Sequence, residues 1–162
     1  MTSQPLQKVD HAALKANQLT IIMLNIVAFI LNQPIIAFVV AIAMGLGALL
    51  KFPGFILLYL YFFKPLGILK PDVLDDNPEP HRFAQFVGFL FMAAGSALIF
   101  FGSAPIGWLL VWVVTFLAAL NAFGGFCVGC AMYYWLARLN IPGFTKNPPA
   151  GIFPGMKPNT SA

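Results

Sequence analysis

The sequence predicts an all-α, polytopic membrane protein. Four transmembrane helices form two tandem hairpin repeats, each followed by a short interfacial or re-entrant helix. Three observations predict this. Of 162 residues, 60% are hydrophobic and 9% charged, where soluble domains carry about 25% charged residues. The charges cluster, leaving 35 uncharged residues between Lys15 and Lys51 and 55 between Arg82 and Arg138. Helix breakers divide both uncharged runs near their middles. About 20 helical residues cross a hydrocarbon core of about 30 Å, so each run accommodates a helical hairpin.

The first span is expected over 13–32 and the second over 34–51. Asn32-Gln33-Pro34 separates them, with Pro34 suited to a first helical turn. The third and fourth spans are expected over 83–102 and 105–123, with Pro105 after Gly102-Ser103-Ala104 in the equivalent place. All four runs are apolar on every side, whereas a spanning strand alternates. Two shorter apolar pieces, Phe55 to Phe63 and Phe126 to Leu139, follow Phe52-Pro53-Gly54 and Phe123-Gly124-Gly125. Helix carried unbroken from Ile106 to Leu139 would reach about 50 Å, so a bend at Gly124-Gly125 is expected.

The halves match at these breakers and at Lys15-x-x-Gln18 against Arg82-x-x-Gln85. The domain organisation follows: a polar N-terminal tail over 1–11, a membrane domain over 12–143 with repeat units of about 10–70 and 77–143, and a Pro-rich tail over 144–162. Tyr59, Tyr61, Tyr133, Tyr134 and Trp135 are expected in interfacial belts. Asp72 to Glu79 is expected to be a solvated loop. Asn25, Asn121 and Gln85 are expected to hydrogen-bond between helices.

With four spans, both termini and the central loop share one side. All nine lysines and arginines then lie there, and the opposite turns carry none. The positive-inside rule makes that side cytoplasmic, in a bacterial inner membrane. The first apolar run is too long for a cleaved signal peptide and is expected to be retained. Basic residues spread along a membrane rim are topology signals and headgroup partners, so nucleic acid is not expected as a partner.

The chemical motif is Cys127-Val128-Gly129-Cys130. Residues i and i+3 share a helix face, and a thiol at a helix start feels the positive end of the dipole. Thiol–disulfide or sulfur-transfer chemistry follows, with Cys127 as attacking thiolate and Cys130 as resolving thiol. A permanent disulfide is not expected at a reducing face. Two cysteines at a close helix contact, with Gly125 and Gly129 as packing residues, give the structural alternative. Arg82 and His81 are candidate contacts for a thiolate or an anionic substrate. Two cysteines supply half a tetrahedral zinc set, which His11 and His81 could complete, but the spacing does not demand it. No metal and no cofactor is expected.

Val9-Asp10-His11 with Asn17-Gln18, Pro80-His81-Arg82-Phe83-Ala84-Gln85, and Gly125-Phe126-Cys127-Val128-Gly129-Cys130 with Tyr133 together resemble a bacterial membrane family. That family is the domain of unknown function 4395 (DUF4395), and the similarity covers about residues 8–143. The resemblance implies a small integral membrane protein of about four spans, associated with thioredoxin-like and sulfurtransferase-type proteins. It carries no assigned reaction.

Three functions therefore compete. The first is a membrane thiol protein handling electrons or sulfur at its CxxC pair. The second is a structural or assembly subunit of a larger membrane complex. The third is a transporter of a small sulfur species, although few intramembrane polar groups mark a path.

Overall fold

The computed structural model describes residues 6–158; the outermost parts of both tails lie outside the described residues. Strand β1 (Gln7–Asp10) leads into helix α1 (His11–Ile30), and α2 (Pro34–Leu50) follows. A short α3 (Ile56–Leu58) runs into a π-helical turn over Tyr59–Phe63. Then come β2 (Val73–Asp76), α4 (Pro78–Phe100), α5 (Ala104–Gly124) and α6 (Val128–Arg138).

The hairpin turns form as Pro34 and Pro105 predict. Each lies in the first turn of its helix, where a missing N–H costs nothing. Asn32 and Gly102 take positive φ to reverse the chain. The same hydrogen bonds close both turns: Gln33 N–H to Ala28 O, and Ser103 N–H to Leu98 O, each at 2.8 Å.

One expectation needs correction. Three helices, α1, α4 and α5, are long and apolar enough to cross a membrane, not four. Helix α2 has 17 residues, because Lys51 turns left-handed (φ 68°) and ends it. At 1.5 Å per residue it is about 26 Å long, at the short end of the spanning range.

The core lies where these four helices meet, around Ile21, Val40, Met92 and Val111. Close approaches need missing side chains: a Cβ on Gly107 would fall 2.5 Å from Gly95 O, which lets α5 lie against α4. A Cβ on Gly47 would overlap Gln85 and the Phe52 carbonyl, which fixes α2 against α4. Asn25 Nδ2 donates to Thr115 Oγ1 at 3.0 Å, tying α1 to α5. Outward residues are large and apolar; Ile30, Leu49, Phe101 and Phe116 are mostly exposed, as a lipid-facing surface requires.

Asp72 to Glu79 is not a solvated loop. β2 pairs antiparallel with β1, placing Asp10 beside Val73 and Gln7 beside Asp76, and Leu74, Asp76 and Asn77 are buried. Asp10 anchors this junction: its carboxylate accepts from Ala12 N (3.0 Å), Asp72 N (3.1 Å) and the Tyr59 hydroxyl (2.9 Å). Burial pushes the Tyr59 phenol up to about 12, and the Asp10 carboxylate adds to the shift. Tyr59, Tyr133 and Tyr134 are buried rather than belt residues, while Tyr61 and Trp135 are exposed.

Candidate functional site

The strand pair brings three helix starts to one end of the molecule. His11 begins α1, His81 lies in the first turn of α4, and Cys127 caps α6. The bend at Gly124-Gly125 makes this possible. Gly125 takes φ 64°, a conformation natural to glycine, so α5 stops and α6 departs in a new direction. As the sequence predicts, the cysteine motif opens a helix.

Cys127 and Cys130 are joined in a disulfide, with Cα atoms 5.2 Å apart. The Cys127 Sγ also serves as the helix cap, accepting the Cys130 N–H at 3.2 Å. That is where a thiolate would gain most from the helix dipole. Both sulfurs are buried, with 6% and 3% of their residues' surface exposed.

Beside the disulfide stands a chain of polar contacts. Cys130 Sγ lies 3.4 Å from His81 Nδ1, and His81 Nε2 lies 2.9 Å from Asp76 Oδ2. His11 Nε2 approaches the same oxygen at 3.3 Å. Burial raises the Asp76 carboxyl, but His11, His81 and the Asn77 N–H outweigh it and hold the group well below the usual carboxylate range. An ionised carboxylate only accepts hydrogen bonds. His81 Nε2 therefore donates to Asp76, and its Nδ1 faces Cys130. Asn77 fastens the assembly, donating to the Tyr134 hydroxyl at 3.3 Å and to Asn147 O at 2.8 Å.

The C-terminal segment crosses this end as a strap. Cys127 N–H donates to Gly155 O at 2.8 Å, and Lys157 N–H donates to Gly125 O at 2.9 Å. Lys157 also pairs with Asp72. Beneath the strap is a small polar pocket of about 20 Å³ lined by His11, Asp76, His81, Cys127 and Cys130. On the membrane side, Cys127 and His81 border a larger apolar cavity of about 190 Å³ with Met44, Gln85, Phe91 and Met132.

The predicted site residues thus separate. Cys127, Cys130 and His81 come together. Arg82 does not join them: its guanidinium donates to Ala48 O at 3.3 Å and caps the end of α2. Adjacent helical residues differ by about 100° in direction, so His81 facing α6 turns Arg82 toward α2. Asp76 and Asn77 were missed because two acids among prolines resemble a solvated loop. Val73-Leu74-Asp75-Asp76 alternates in burial but not in polarity, so the strand left no period-two signal in the sequence. Gly129 packs on Ala84 and sets the α4–α6 spacing, while Gly125 works as the helix terminator.

A family model described as Domain of unknown function (DUF4395) matches residues 9–138, from β1 to the end of α6. No curated protein and no solved structure matches the chain.

Proposed function

The chain belongs to the DUF4395 family, and we propose that its Cys127–Cys130 pair is a thiol–disulfide centre at the cytoplasmic face of a bacterial inner membrane. The observation that carries this reading is the 3.4 Å contact of Cys130 Sγ with His81 Nδ1, backed by Asp76.

In this reading the Cys127 thiolate attacks a substrate disulfide or the outer sulfur of a substrate persulfide. That S–S bond breaks, one thiolate leaves, and Cys127 is left as a mixed disulfide or a persulfide, which Cys130 resolves. His81 Nδ1 takes the Cys130 proton as the thiolate attacks the Cys127 sulfur. The sulfur held on Cys127 leaves as the second thiolate of the disulfide substrate, or as hydrosulfide where the substrate was a persulfide, and takes up that proton. One S–S bond forms and one breaks, so no outside electron acceptor is consumed in this step. A positioned base of this kind is worth about 10²–10⁴ in rate. Thioredoxin-like or sulfurtransferase-type proteins would be the soluble partners.

The four-crossing topology belongs to the same reading. α1 leaves from β1, and the chain returns to β1 through β2. If α1 crosses the bilayer, α2 must cross back. α4 leaves from that end and α5 returns to it, bringing Cys127 to His81. Both described ends of the chain then share a side with every basic residue, which supports the cytoplasmic orientation.

A second reading, a structural subunit of a membrane complex, is favoured by the burial of both sulfurs under the strap. Exchange kinetics in detergent distinguish the two. In the first reading Cys130→Ser accumulates a mixed disulfide at Cys127, Cys127→Ser accumulates none, and His81→Ala slows resolution. Wild-type exchange in both serine variants would refute it and favour the subunit.

A further inference from the structure

We propose that the reduced pair and His81 form a Cys2His site for a thiophilic d10 metal ion, Zn2+ or Cu+, with its fourth position open. The ligand atoms of His81, Cys127 and Cys130 all lie within 4.8 Å of one another. Tetrahedral bonds of about 2.3 Å to sulfur and about 2.0 Å to nitrogen separate sulfur from nitrogen by about 3.5 Å. Cys130 Sγ and His81 Nδ1 are already 3.4 Å apart. Reduction of the disulfide lets Cys127 Sγ swing from Cys130 to the ligand spacing without backbone movement, since the pair sits at i and i+3 on one helix start.

The surroundings fit a metal better than a bare thiol pair. A ligating histidine characteristically donates its other ring N–H to a carboxylate, which fixes its tautomer and orientation. His81 does this with Asp76 at 2.9 Å, which places Nδ1 on the sulfur side as the ligating atom. The Cys130 N–H already donates to Cys127 Sγ, as a ligating thiolate would need. Two thiolates neutralise Zn2+, so a buried site would carry no net charge from ligands and ion together. Three protein ligands leave one position open, and Cys127 and His81 both border the apolar cavity of about 190 Å³.

A second donor group, His11, Asp76 and His81, shares His81. It has no sulfur, and an ion there would take the Nε2 atom that orients the ring. Thiophilic ions prefer the sulfur set. Binding releases two thiol protons and changes no oxidation state. The disulfide form has no thiolates to offer, so metal loading and oxidation exclude each other. This inference rests on the pair being reducible, as the proposed function requires, but not on catalytic exchange.

The test uses the full chain in detergent, reduced with a phosphine and titrated with Co2+ as a spectroscopic substitute for Zn2+, and separately with Cu+ against a colorimetric chelator. The expected result is one equivalent bound, with a thiolate-to-cobalt charge-transfer band that Zn2+ displaces. The oxidised protein and Cys130→Ser give no band, and Asp76→Asn binds about 10- to 100-fold more weakly. One equivalent of Zn2+ also shields both wild-type thiols from alkylation, a readout that needs no variant to fold. Uptake of Cu+ alone would support the site and identify copper as its ion. Failure to bind either ion, in protein whose two thiols alkylate fully, overturns the proposal while leaving thiol exchange intact. Binding without the charge-transfer band, or unaffected by Cys130→Ser, overturns it in favour of the sulfur-free group. Thiols that no reductant exposes refute the proposed function as well.

Discussion

Gly129→Ala tests the link between helix packing and thiol chemistry. A Cβ at position 129 would lie 2.5 Å from the Ala84 Cβ and 2.7 Å from its Cα. Carbon atoms settle at about 3.5–4.0 Å, so α6 must retreat from α4 by about 1 Å. Overpacking of this kind costs about 1–3 kcal/mol. The better helix propensity of alanine returns at most about 1 kcal/mol, so a net loss of about 1–2 kcal/mol is expected from the two principles together. Position 129 adjoins Cys130, and Ala84 lies one turn from His81. The same retreat therefore lengthens the 3.4 Å sulfur–imidazole contact to about 4.4 Å, beyond hydrogen-bond reach. Denaturant unfolding in detergent reads the first effect, and the rate of mixed-disulfide resolution reads the second. Resolution should slow by at least about tenfold, within the range a general base contributes. Adding Ala84→Gly should restore only part of either loss, because the new methyl still presses on the backbone at position 84. A Gly129→Ala protein with wild-type stability and a wild-type resolution rate would refute the argument.

Other expectations follow from single contacts. Arg82→Gln removes charged donors to Ala48 O and should cost about 1.5 kcal/mol in unfolding experiments; a change in thiol-exchange rate would contradict its placement away from the cysteines. Ending the chain after Gly151 removes two backbone hydrogen bonds that hold the strap, each worth about 1 kcal/mol. Alkylation of the reduced thiols should then accelerate by about tenfold to thirtyfold, and an unchanged rate would show that the strap does not limit access. Tyr59 and Tyr134 are both held at about 12, with burial the leading cause, against an ordinary 10. Both phenols keep their protons in the folded state, so their stabilisation is complete below pH 10 and disappears as pH rises through 12. Ultraviolet titration should show a late phenolate phase that Tyr59→Phe reduces. Thr115→Val removes the Asn25 contact and should cost about 0.6 kcal/mol, the average for hydrogen bonds between membrane helices.

Much of the helical frame was legible because its boundaries are local. Pro34, Pro105 and Gly125 act through their own backbone restrictions, and each ends or begins a helix where the sequence predicted. The CxxC motif at a helix start was legible for the same reason. The strand pair was not, because Gln7–Asp10 and Val73–Asp76 are short and their pairing spans most of the first half of the chain. Without that pairing, Asp76 had no visible reason to meet His81. The C-terminal strap was hidden because its holding contacts, backbone hydrogen bonds to Gly125 and Cys127, the Phe126–Phe153 ring contact and the Lys157–Asp72 pair, join a Pro-rich segment with no periodic pattern to residues far from it in the chain. The end of α2 is not legible, because nothing in the side chain of Lys51 marks the left-handed conformation that ends the helix at Leu50.

The order in which the polar end is completed matters for biogenesis. Its residues come from positions 10–11, 76–81, 127–130 and 155–157, and the last of these emerges from the ribosome after all the others. A partly inserted chain has the histidines but not the sulfurs; a chain lacking only its tail has the sulfurs but leaves them uncovered. Shielding of the thiols therefore reports that α1, α4 and α6 and the segment after α6 are in place. A quality-control protease or a thiol-specific reagent would distinguish finished from unfinished molecules by that single property.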